Sequence, residues 1–110
     1  MKEPEFIIIV TTTQNGEEAR FLGRTLLEAR LAACVQISTV ESHYRWEGKL
    51  QRQEEYRLEA KSRRDLFEQA RDLICAHHSY DLPEILSLPL LETSAEYASW
   101  LREALKEPPR

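Results

Sequence analysis

The sequence predicts an α+β domain of four strands and three helices in the order β-α-β-β-α-β-α. Three observations predict it. A β-branched run, Phe6-Ile7-Ile8-Ile9-Val10, opens the chain; alternating segments flank Gly48; and three stretches carry apolar residues at helical spacing. At 110 residues and a net charge of −4, the chain is expected to be one domain spanning 1–110, with a core of about 6–105.

The first run is too short for a helix and is bounded by Pro4 and by Thr11-Thr12-Thr13-Gln14-Asn15-Gly16, so it reads as a central strand buried on both faces. From Glu17 to Arg30, Ala19, Leu22, Leu26 and Ala29 recur at spacings of three and four, with Glu17 and Glu18 where a helix dipole favours acids. Ala33, Val35 and Ile37 then alternate with polar residues, whereas Val40, Ser42, Tyr44 and Trp46 take the opposite parity, which predicts a bulge. After Gly48, Tyr56, Leu58 and Ala60 alternate against Arg57, Glu59 and Lys61, completing a long hairpin. Lys61-Ser62-Arg63-Arg64 is expected to be a solvated corner.

Leu66, Phe67, Ala70, Leu73, Ile74 and His77 trace one face of a second helix, and Asp81 to Pro83 resets the backbone to an extended state. Ile85, Leu86, Leu88, Leu90 and Leu91 supply the fourth strand, with Pro89 marking an edge. Ser94 caps a last helix whose apolar face is Tyr97, Trp100, Leu101, Ala104 and Leu105, with a stop at Pro108-Pro109. Right-handed crossovers fold this order into the ferredoxin-like β-α-β-β-α-β plan with an added C-terminal helix.

Composition excludes several functions. No apolar run approaches the roughly 18 residues of a membrane span, and the acidic start, Met1-Lys2-Glu3-Pro4-Glu5, argues against secretion. Interspersed acids and bases offer no positive stripe for nucleic acid. Cys34 and Cys75, with no CxxC, make neither a disulfide framework nor a zinc ribbon and fit a reducing, cytoplasmic compartment. The first loop lacks the thiols of a copper-chaperone domain and the anion cradle of an acylphosphatase, and the third strand lacks the aromatics on which RNA bases stack. With no nucleophile and base at a recognisable spacing, the chain is not expected to be an enzyme.

Four segments remain: Arg30-Leu31-Ala32-Ala33-Cys34-Val35, Tyr44-Arg45-Trp46-Glu47-Gly48-Lys49, His77-His78-Ser79-Tyr80-Asp81-Leu82-Pro83-Glu84 and Tyr97-Ala98-Ser99-Trp100-Leu101. In content, order and spacing they resemble the CutA family, the divalent-cation tolerance proteins, from about Phe6 to about Leu105. The resemblance implies a stable, PII-like homotrimer whose second and third strands pair across subunits. It also implies a role in metal-ion response or homeostasis through binding of Cu²⁺ or another divalent cation, none being required for folding.

The ligands the resemblance implies fall on His77 and His78, and adjacent imidazoles need a third ligand from another element. Some members place a cysteine where this chain has Thr11, and the family usually has proline where this chain has Ser79. The alternative reading is a PII-like signalling or assembly module. Its inter-subunit cleft, drawn from Tyr44, Arg45, Trp46, Lys49, Tyr80, Asp81 and Glu84, would take a small anionic ligand or a protein; the same residue types would equally lock a trimer.

Overall fold

A computed structural model describes residues 3–108. The elements are β1 (Phe6–Thr13), α1 (Gly16–Glu28), β2 (Cys34–Trp46), β3 (Lys49–Arg63), a short 3₁₀ turn (Arg64–Leu66), α2 (Phe67–His77), β4 (Ile85–Leu90) and α3 (Ala95–Ala104). All ladders are antiparallel and the strand order is β2-β3-β1-β4, which is the ferredoxin-like arrangement. The β-branched opening run is indeed interior, and Pro89 sits on the edge strand, where a missing N–H costs no ladder bond.

Local chemistry sets the boundaries. The Asn15 side chain accepts the Glu18 N–H at 2.8 Å and starts α1. Ser94 caps α3 in the same way by accepting from Tyr97 N–H. Glu47 and Gly48 both have positive φ, the two-residue turn whose twist matches a hairpin. α1 and α2 cover one face of the sheet. Leu22, Leu26, Ala70 and Ile74 are buried there with Ile7, Ile9 and Leu58, each large side chain contributing about 1.5–3 kcal/mol of transfer free energy. α1 lies so close to the sheet that a Cβ on Gly23 would stand 2.9 Å from Val35 Cγ1.

Several expectations are corrected. β2 has no bulge: its pairing with β3 runs unbroken from Cys34↔Lys61 to Trp46↔Lys49. The parity flip instead marks a change in which face is apolar. Val35 and Ile37 face α1 with Leu58 and Ala60, whereas Val40, Ser42, Tyr44 and Trp46 lie on the open face of the sheet. The corner 61–64 is solvated only at Arg64, while Ser62 and Arg63 are buried. Ser62 Oγ–H donates to Leu31 O, and Arg63, 5% exposed, donates to Asp65 and to Lys106 O. Lys61 lies over the Tyr97 ring.

Corrections at the C-terminal end follow from packing. Leu91 falls outside β4 and is 82% exposed, and Trp100 is 44% exposed against Tyr97, while Leu101 and Leu105 carry the buried face of α3. α3 has already ended at Ala104, before the proline stop; Pro109 lies outside the described residues. Arg30, in the left-handed region at φ 59°, donates to the Ala104 carbonyl and accepts from Lys106 N–H, tying the ends of α1 and α3 together.

β1 ends at Thr13, opposite Tyr56. β2 and β3 continue as a two-stranded ribbon, so Lys49–Glu55 have no strand partner on the β1 side within the described residues. This overhang, in a molecule 45 Å long, positions the site described below.

Two outcomes follow. Gly23→Ala must push α1 off β2 and is expected to lower unfolding free energy by about 1–3 kcal/mol in urea denaturation. The Arg102 guanidinium bonds both Glu5 oxygens and, chiefly through that hydrogen bonding, holds the Glu5 carboxyl below its ordinary value of 4.5. A carboxylate with a lowered folded-state pKa stabilises the fold above its unfolded value and loses that contribution as pH falls through the folded one. Melting temperatures of the wild type and Arg102→Gln should therefore differ above pH 4.5 and converge well below it.

Candidate functional site

The chain between α2 and β4 crosses onto the open face of the ribbon. There Ser79, Tyr80, Asp81, Leu82 and Glu84 meet Thr12 of β1, Ser42, His43, Tyr44 and Trp46 of β2, and Gln53 and Glu55 of β3. Together they line a cleft of about 640 Å³. The antiparallel register sets its floor, because Val40↔Glu55, Ser42↔Gln53 and Tyr44↔Gln51 are paired positions on one face.

A polar chain crosses that floor. Tyr44 O–H donates to Gln53 Oε1 at 2.7 Å, Gln53 Nε2–H donates to the Tyr80 oxygen at 3.0 Å, and Tyr80 O–H donates to Glu55 Oε2 at 2.8 Å. Burial first, then the hydrogen bond to Glu55 and its charge, pushes the Tyr80 phenol well above its ordinary value of 10.0. Tyr80 therefore stays protonated and serves as the donor for the buried Glu55 carboxylate.

The charge of the cleft is acidic. Glu55, Asp81 and Glu84 line it, and no lysine or arginine does; His43 borders it along β2, with its ring on the opposite face beside Glu41. Arg45 lies on the opposite face of β2 from Tyr44 and Trp46, and Lys49, although paired with Trp46, stays outside the lining. The two cations expected from the sequence are thus absent from the cleft of a single protomer. His43 Nε2 is 2.6 Å from Glu41 Oε2, and Arg52 donates to Glu41 Oε1 at 2.8 Å. Hydrogen bonds from His43, then Arg52, hold the Glu41 carboxyl below its ordinary value.

His77 and His78 are not brought to one point. His77 is exposed on the last turn of α2, edge-on to Phe21 with ring centroids 5.5 Å apart. The His78 side chain is fully buried. Its Nε2–H donates to Thr12 O at 2.9 Å and its Nδ1 accepts Tyr80 N–H at 3.1 Å. A carbonyl can only accept, so the proton sits on Nε2 and the one lone pair, on Nδ1, is already used. Among the described residues, no group of three or more His, Cys, Asp or Glu side chains is arranged to hold a metal ion within one protomer. Cys34 is half-buried on β2 and Cys75 exposed on α2. The Thr11 hydroxyl, in the β1 position noted above, is buried on the helix-covered face without a partner, away from the cleft.

Sequence reasoning found Tyr44, Trp46, Tyr80, Asp81 and Glu84 but missed Thr12, Ser42, His43, Gln53, Glu55 and the lining role of Ser79 and Leu82. Folding the sequence about Glu47-Gly48 without a bulge would have placed Gln53 and Glu55 beside Ser42 and Val40.

Tyr80→Phe removes the donor to the buried Glu55 carboxylate and the acceptor for Gln53. The variant is expected to lose about 1–3 kcal/mol in urea denaturation; Tyr44→Phe, which ends the chain at its exposed side, should cost less.

Comparison with known proteins agrees with this architecture. The family model described as CutA1 divalent ion tolerance protein matches residues 7–104. The chain is 38% identical over 97 residues to the divalent-cation tolerance protein CutA of Thermus thermophilus, covering 87% of this chain and 94% of that one. It is 37% identical over 101 residues to the chloroplastic protein CutA of Arabidopsis thaliana, covering 91% of this chain. It spans only 56% of that relative and 58% of the corresponding rice protein. Among solved structures, CutA1 from Oryza sativa superposes with a TM-score of 0.91 at 34% identity, covering 96% of this chain and 98% of that one.

Proposed function

Because the chain belongs to the CutA1 divalent ion tolerance family, we propose that it works as a cytoplasmic homotrimer that binds a divalent cation, copper foremost, in the ribbon cleft and so contributes to the response to metal ions. One observation carries the reading: the cleft gathers Glu55, Asp81 and Glu84 and is lined by no lysine or arginine. Such a lining attracts cations and repels a small anionic ligand. Carboxylate oxygens are donors that a divalent cation accepts. Since among the described residues of one protomer no three such donors are arranged to hold an ion, a neighbouring subunit completes the set.

Trimerisation is supported by what the protomer leaves open. The ribbon edge at Lys49–Glu55, the length of β2 on the sheet's other edge, and exposed Tyr44, Trp46, Leu50, Leu82, Leu86 and Leu88 together make a liability that closed symmetry removes. Two unpaired thiols suit a reducing cytoplasm. The role is binding rather than catalysis. Tyr80, whose phenol is held protonated, is committed to holding Glu55 and not to moving a proton.

Native mass spectrometry of the metal-stripped protein during Cu²⁺ addition tests both halves of the proposal. A trimer taking up three ions at low excess is expected, with uptake lost in Asp81→Asn combined with Glu84→Gln and retained in His77→Ala, which lies outside the cleft. A monomer, or a trimer whose copper uptake survives loss of both carboxylates, would overturn it.

A further inference from the structure

Two carboxylates of the cleft, Asp81 and Glu84, ride on the loop between α2 and β4. Among the described residues, no backbone–backbone hydrogen bond outside the helices and strands involves residues 78–84. Side chains fix it instead. His78 Nε2–H donates to Thr12 O of β1, and His78 Nδ1 accepts the N–H of Tyr80 two residues on, the pattern by which an Asx turn imitates a backbone turn. The imidazole also lies against the Tyr80 ring, with centroids 5.0 Å apart. From the first turn of α1, Glu18 accepts Ser79 N–H at 2.9 Å through one oxygen and Ser79 Oγ–H at 2.8 Å through the other. Glu18 Oε1 also lies 3.4 Å from His78 Nδ1.

We propose that His78 and Glu18 are positioning residues of the cleft: a clasp from β1 and α1 that fixes residues 78–80 and thereby sets where Tyr80, Asp81 and Glu84 stand. In this assignment His78 acts on the cation only through the loop, because both ring nitrogens are occupied by backbone groups. The clasp spans three elements. Thr12 is the penultimate residue of β1, Glu18 lies in the first turn of α1, and Tyr80 carries the constraint to Gln53 and Glu55 on β3. Polar partners of this kind, one step removed from a metal, typically change affinity 10- to 100-fold when deleted. The effect on affinity rests on the cation reading given above; the clasp itself does not.

The test is ¹⁵N NMR of the full chain with and without Zn²⁺, a diamagnetic probe, following the His78 ring nitrogens and the exchange rate of the Tyr80 amide. In the wild type, His78 is expected as the Nε2-protonated tautomer and to remain so on Zn²⁺ addition. Glu18→Ala and His78→Ala should each speed Tyr80 amide exchange by about tenfold or more and weaken Zn²⁺ binding about 10- to 100-fold. His78→Asn, whose Oδ1 can still accept from Tyr80 N–H, should recover part of both. If His78→Ala does not fold, Glu18→Ala alone carries the test. Ring nitrogen signals that shift with Zn²⁺ would make His78 a ligand and overturn the assignment. Folded variants with wild-type Tyr80 exchange would also overturn it. A wild type that takes up no Zn²⁺ while its variants lose Tyr80 protection would defeat the cation reading and leave the clasp standing.

Discussion

Two strands of this sheet outrun a third. β1 stops opposite Tyr56, while β2 and β3 stay paired all the way to Trp46 and Lys49. A two-stranded ribbon alone is marginally stable in water, and among the described residues this one leaves the N–H and C=O groups of one β3 edge without a strand. The remaining features answer that constraint. The loop after α2 folds back over the open face of the ribbon, Tyr80 bonds Glu55 and Gln53, and the space between becomes the cleft. The helices cannot do this work, because α1 and α2 lie on the other face, over the part of the sheet that β1 reaches.

Electrostatics in the cleft follow from the same geometry. Glu55 is buried because the loop covers it, and its charge is tolerable because Tyr80 donates to it and because Gln53 fixes Tyr80 in turn. Asp81 and Glu84 arrive on the loop itself and add negative charge that no basic residue of the lining offsets. A cation or a neighbouring subunit bearing donors would relieve that imbalance, whereas an anion would worsen it.

Much of this was legible in the sequence. Element order, the central β-branched strand, the Ser94 cap and the edge position of Pro89 follow from periodicity and backbone chemistry, and four motif segments pointed to the family. The parity flip after Ile37 was a real signal with another cause. Alternation reports which face is apolar, and along this ribbon the apolar face changes sides once the chain leaves the shelter of α1. Arg63 looked solvated because its partners, Asp65 and the Lys106 carbonyl, include one that is distant in sequence. His77 and His78 read as a pair because they are adjacent, yet the helix ends between them and turns one ring outward and the other into the fold. Ser79 shows a compensation that sequence alone does not: its N–H and hydroxyl, which a proline would lack, are the groups that Glu18 holds.

The most direct test of the central claim, that the ribbon is completed only by assembly, is hydrogen exchange at the β3 amides of Lys49–Glu55 that point away from β2, measured on the intact protein in solution. Protection comparable to that of the β1–β3 ladder is the expected result, because those groups would be paired with a neighbouring subunit. Exchange at the rate of an open strand edge would contradict the account.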